Sequence, residues 1–153
     1  RKIISHWYWG RLYAPQYTIV YGYTFTTPRY GGHPLPIFFL AHGAEHWCIT
    51  DKLLLEPSDW VPAPEVGQSY PRTLALHIAD QQLTGKVVLH LDRVVEIVNL
   101  LQGTPRLVQL LARVQRLHPA YFRFLANFEA SFNREGRSIA LNGQTIHELM
   151  ILK

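Results

Sequence analysis

The chain has little that could staple, anchor or electrify it. It holds one cysteine, Cys48, and one methionine, Met150, among 153 residues. A disulfide framework is excluded, and a lone thiol in the apolar run Trp47-Cys48-Ile49 reads as a core residue rather than a nucleophile. Charged residues make up only 17%. The fifteen Lys and Arg outnumber the eleven Asp and Glu, but no run of like charge gathers them into the patch a nucleic acid requires. No hydrophobic stretch approaches the length of a membrane span, and Arg1-Lys2-Ile3-Ile4-Ser5 is not the start of a signal peptide. The expectation is a globular domain with no membrane span and no nucleic-acid partner. There is no G-x-S-x-G elbow, no phosphate-binding P-loop and no dinucleotide-binding turn, and so no cofactor is expected.

What the chain has is aromatic residues: 4 Trp, 8 Tyr and 7 Phe. Many of them fall in period-two runs. From Tyr17 to Thr26, Tyr17, Ile19, Tyr21, Tyr23 and Phe25 share one face of a strand. Upstream, Trp7, Trp9, Arg11 and Tyr13 share another, and Ala14-Pro15-Gln16 turns the two into a hairpin. Strands are expected again at 36–42 and 46–56, the latter two joined at Gly43-Ala44-Glu45. The prolines at 57, 62, 64 and 71 read as a long surface connection. Strands resume at 72–79 and 86–94. Thr104-Pro105 then caps an amphipathic helix reaching Leu117, with Leu107, Val108, Leu110, Leu111 and Val114 on one face and Arg106, Gln109, Arg113 and Arg116 on the other. Tyr121 to Phe132 and Ile139 to Ile151 close the chain. The expected fold is all-β: an eight-stranded antiparallel up-and-down barrel with one helix before strand seven, the alternative being an open sandwich.

Eight histidines invite a metal reading, above all His42-Gly43-Ala44-Glu45-His46. Its order is not that of a zinc protease helix, its flanks are strand-like, and the two rings are expected to face each other across a three-residue hairpin loop. No metal site is expected. The remaining chemistry is acid chemistry in an apolar barrel, where desolvation raises a carboxyl pKa and makes it a proton donor. By alternation Asp51 falls with Trp47, Ile49, Leu53 and Leu55, and Glu148 with Ile146, Met150 and Leu152. These two are the candidate catalytic residues, unless a bulge turns them to solvent. Trp7, Trp9, Arg11, Tyr21, Tyr23, Trp47, Phe124 and Phe128 are the candidate ligand wall, or else core filling.

The run Ser5-His6-Trp7-Tyr8-Trp9-Gly10-Arg11-Leu12-Tyr13, followed by Tyr17-Thr18-Ile19-Val20-Tyr21, resembles a segment of the lipocalin-like family that includes carotenoid hydratases (hydroxyneurosporene synthase), AttH-type proteins and lipocalin-like Diels-Alderases. In that family a similar W-x-W-G-R-L stretch opens the second of two barrels. The resemblance implies a tandem-barrel protein enclosing a hydrophobic small molecule of isoprenoid or polyketide type, with hydration, cyclisation or pericyclic chemistry in some members. It marks Trp7, Trp9 and Arg11 as motif positions and assigns no catalytic residue. A chain of one barrel is then expected to be part of a longer protein, or to complete its pocket with a second barrel domain or as a homodimer. The rival expectation is a non-catalytic carrier or interaction module whose helix docks a partner.

Overall fold

A computed structural model describes residues 3–115 and 117–152, apart from the Arg113 side chain. Arg116, read above as part of the polar helix face, lies outside the described residues. Among the described residues, nine strands form one antiparallel sheet. They are β1 (Ile4–Ala14), β2 (Tyr17–Thr26), β3 (Pro34–His42), β4 (Glu45–Thr50), β5 (Leu53–Ala63), β6 (Gln68–Ala79), β7 (Thr84–Asn99), β8 (Ala120–Arg134) and β9 (Arg137–Ile151). One helix, α1 (Arg106–Val114), interrupts the β7–β8 connection. The sheet order is β4-β3-β2-β1-β9-β8-β7-β6-β5. Consecutive strands are therefore neighbours everywhere except at β4 and β5, which occupy opposite edges.

That exception curls the sheet. Only Asp51 and Lys52 separate β4 from β5, and three Cα steps reach roughly 10 Å. The two edges must meet there. The Thr50 hydroxyl donates to Asp80 Oδ2 at 2.8 Å, and Ala79 N–H donates to the Lys52 carbonyl at 3.1 Å, tying the end of β4 to the far side of the sheet. The result is a curled half-barrel. It is open at the end carrying the β2–β3 loop, the β5–β6 tip and α1.

The expected single strand over 46–56 is thus two strands, and the count is nine rather than eight. The proline-rich stretch is also strand, not surface connection: Pro57 pairs with Leu74, and Trp60 with Pro71. Proline is tolerated here because β5 is an edge strand, one side of which has no ladder to complete. Asp59, at φ 55°, lies between the pairs Ser58–Thr73 and Trp60–Pro71 without breaking their register, and its carboxylate accepts a 2.8 Å hydrogen bond from the Thr73 hydroxyl. β7 runs on to Asn99, past the expected end at 94.

The interior is filled by one face of every strand. Leu12, Ile19, Tyr21, Phe38, Leu40, Leu74, Leu76, Leu89, Phe122, Phe124 and Phe128 are fully buried. Each such side chain contributes roughly 2 kcal/mol of apolar burial. Cys48 is a buried free thiol of that core, its pKa raised chiefly by burial.

Candidate functional site

Two interior side chains that carry polar atoms, Tyr21 and His147, meet at Gly10. In register, Gly10 on β1 pairs with Tyr21 on β2 and with His147 on β9. A Cβ on Gly10 would lie 2.5 Å from Tyr21 Cε1 and 3.1 Å from His147 Cβ. Because glycine leaves that space empty, the Tyr21 ring crosses β1, and its hydroxyl and His147 Nδ1 share a 3.2 Å hydrogen bond. Phe124 packs against the imidazole, with ring centroids 5.0 Å apart. Burial lowers the His147 pKa to about 4, so the ring is neutral at physiological pH. Burial also raises the Tyr8 and Tyr21 hydroxyls far above the ordinary phenol value, with Tyr8 adding to the effect on Tyr21. The cluster is polar but uncharged.

One step toward the open end, on the same inner faces, stand Tyr8 on β1 and Leu149 on β9, themselves a register pair. With His6, Trp60, Gln68 and Ile151 they wall a cleft of about 310 Å³. Trp60, 53% exposed, forms part of the rim. The volume is at the lower end of the range for small-molecule pockets. A second cleft of about 390 Å³, lined by Glu65, Asn99, Gln102, Gln109 and His118, lies between the β5–β6 tip and the α1 connection.

The residues singled out in the sequence divide between the two faces. Tyr21, Tyr23, Phe124 and Phe128 are buried on the inner face. Trp7, Trp9 and Arg11 lie on the outer face, because Tyr8, Gly10 and Leu12 take the inner one. Trp9 is 40% exposed, and Arg11 donates to the Tyr13 hydroxyl at 3.1 Å. Trp47 is the extra residue of a bulge, since Ala41 pairs with His46 and Leu40 with Cys48. It packs half-buried against Tyr17 and His42, with the Arg134 guanidinium 4.6 Å from its ring centroid.

Two orientations are corrected. Asp51 does not share a face with Leu53 and Leu55. The chain changes sheet edge at 51–52, and the alternation changes phase with it: Cys48 and Thr50 point inward before the switch, Leu53 and Leu55 after it. The Asp51 side chain is 73% exposed, with Lys52 Nζ 3.3 Å away. Glu148 keeps its phase with Ile146 and Met150, but that face is the outer one, and Thr145, His147, Leu149 and Ile151 are buried instead. Glu148 Oε1 accepts a 2.7 Å hydrogen bond from Tyr121 and lies 3.5 Å from Arg123 Nε. The surround of neither carboxylate is the apolar one that a proton donor needs. The histidine motif also differs from expectation: His42 pairs with Glu45 across a two-residue turn, and His46 with Ala41. Among the described residues, no three His, Cys, Asp or Glu side chains gather into a metal site.

The sequence reading missed His147 and Tyr8. The available signal was weak: His147 alternates with Leu149 and Ile151 as regularly as Glu148 does with Ile146 and Met150. Only the facing phenylalanines of β8 decide which set is inside.

A curled antiparallel sheet with an accessible cleft at its open end is the architecture of a lipocalin-like protein. No family model and no curated protein matches the sequence. Solved structures do match the fold, and they are of the kinds the Trp-x-Trp-Gly-Arg-Leu resemblance named. CghA, a Diels-Alderase solved with Sch210972, superposes over 99% of this chain at a TM-score of 0.63 and 9% identity. Kievitone hydratase from Nectria haematococca superposes over 97% at 0.61 and 15% identity. An AttH-type protein from Nitrosomonas europaea superposes over 100% at 0.64 and 10% identity. The chain spans only 42%, 40% and 41% of those three chains. Among the described residues no helix is long and apolar enough to cross a membrane.

Proposed function

We propose that this chain binds a hydrophobic small molecule, of isoprenoid or polyketide type, in the cleft at the open end of the half-barrel. The observation that carries the reading is the continuity of that cleft with the inner face. Tyr8 and Leu149 form part of its wall, and one step inward His147, on the same strand as Leu149, meets Tyr21 of β2 in an uncharged pair. Apolar walls with a few fixed polar groups suit an apolar ligand bearing a carbonyl or hydroxyl.

The enzymatic form of this reading is a hydration, cyclisation or pericyclic reaction, the chemistry the family resemblance implies. In it the hydroxyl of Tyr8, which lines the cleft, donates its phenolic hydrogen bond to a ligand oxygen, with the neutral Tyr21–His147 pair behind it. The rival acid role of Asp51 or Glu148 draws no support from their surroundings. A second half of the pocket, from another barrel domain or a second copy, belongs to the same proposal, since the chain spans about two-fifths of the solved structures it resembles. The rival reading, a non-catalytic carrier or interaction module whose aromatics are packed core, is supported by one observation of its own: Phe122, Phe124 and Phe128 are fully buried in the interior.

The test is titration with the apolar fluorophore anilinonaphthalene sulfonate, alongside native mass spectrometry of the purified protein. Wild type is expected to enhance the fluorescence or retain an apolar compound, and Ser69→Phe, which places a ring at another residue lining the cleft, to lose both. Binding that survives Ser69→Phe, or a wild type that binds nothing, overturns the reading.

A further inference from the structure

The helix between β7 and β8 turns its apolar face away from the protein. Ala112 is buried, while Leu107, Leu110, Leu111 and Val114 are each more than half exposed, Val114 to 74%. An amphipathic helix resting on its own barrel buries this row. The helix belongs to a stretch of unusual charge: from Ile97 to Phe128 there is no Asp or Glu, and there are four arginines. Arg123 is engaged with Glu96 and Glu148 on the barrel wall. By sequence the helix segment also carries Arg106, Arg113 and Arg116. At the same open end Ile3, Tyr30, Leu35 and Trp60 are exposed as well. The carboxylates toward that end include Asp59 beside Trp60, Glu65 at the β5–β6 tip, and Glu96 and Glu148, which are engaged with Arg123.

We infer that α1 docks the open end of the half-barrel onto an anionic lipid surface, lying in the headgroup region without crossing the bilayer. The charge pattern selects this occupant. The exposed row on the helix is aliphatic, and the formally charged residues of the helix segment are all arginine, so apolar area and positive charge occur together with no carboxylate among them. Apolar area together with positive charge is sufficient for a lipid interface. The inference goes beyond the ligand-binding reading and does not depend on it. Were both to hold, the cleft would open toward the phase in which an apolar ligand dissolves.

The experiment is co-sedimentation of the protein with vesicles of equal parts phosphatidylcholine and phosphatidylglycerol, compared with phosphatidylcholine alone. Wild type is expected to sediment with the anionic vesicles, and less so as salt rises. The double variant Leu107→Gln and Leu110→Gln should lose roughly tenfold or more in partitioning, and Arg106→Glu a smaller part. Both variants alter exposed side chains and should keep the wild-type melting temperature and fluorophore binding. Wild type left in the supernatant with both vesicles overturns the inference. So does sedimentation that the double variant does not change, or a wild-type dimer, abolished by the double variant, that ignores lipid. Fluorophore binding at the cleft, measured separately, tells a failure of this inference from a failure of the ligand-binding reading.

Discussion

Tyr21 on β2 reaches His147 on β9 across a strand to which neither belongs, with 3.2 Å between the hydroxyl oxygen and Nδ1. The crossing is open because Gly10 presents no side chain to it. Gly10→Ala should therefore destabilise the fold by about 1–3 kcal/mol, since the new methyl meets the Tyr21 ring and both flanking strands are fixed. The check is a urea midpoint for Gly10→Ala alone and with Tyr21→Leu. The second change should recover part of the loss caused by the first.

Stability should fall with acid through this pair. His147 is neutral in the fold, with a pKa near 4, whereas the unfolded chain binds the proton with the ordinary value of 6.5. Between those values the unfolded state holds more protons, so lowering the pH favours unfolding. At about 1.4 kcal/mol per pH unit, the loss approaches about 3 kcal/mol by pH 4. Melting curves from pH 7 to about pH 4 should show it. His147→Gln, which keeps a hydrogen-bonding group, should flatten that part of the profile.

The two outer carboxylates should be dispensable for ligand binding. Asp51→Asn removes an exposed group with one lysine neighbour, and Glu148→Gln loosens a surface network with Tyr121 and Arg123. Each is expected to change stability by less than about 1 kcal/mol, as exposed pairs do. Fluorophore titration of both variants should match wild type.

The tie at the edge crossing should be worth more. Thr50→Val keeps the side-chain shape but removes the hydroxyl that donates to Asp80 and accepts from Lys52 N–H. A cost of about 1–2 kcal/mol is expected by chemical denaturation. Hydrogen exchange should rise first at the start of β5.

Much of the fold was legible because strand period survives in the sequence. The runs 17–26, 121–132 and 139–151 alternate without interruption and appear as strands. Phase was harder than period. β1 and β9 are apolar on both faces, Trp7 and Trp9 against Tyr8 and Leu12, Ile146 and Met150 against Leu149 and Ile151, so alternation alone does not say which set is inside. At Asp51 the phase itself changes, for a reason held in long-range pairing rather than in neighbouring residues. The prolines of β5 misled because their tolerance depends on the strand being an edge. His147 was passed over as one of eight scattered histidines, since its partner lies 126 residues away.

The crossing at Asp51–Lys52 also bears on how the chain folds. β1 and β9 are paired, so the start of one lies beside the end of the other, as in His6 opposite Ile151. A circular permutant that joins those ends and opens the chain between Asp51 and Lys52 would run β5, β6, β7, β8, β9, β1, β2, β3, β4, a pure meander. Every ladder would then connect strands adjacent in sequence, and the single long-distance pairing of the native order would become a hairpin. Its lower contact order predicts faster folding. The permutant would also surrender the covalent bridge between the two sheet edges, so its barrel would close through non-covalent contacts alone.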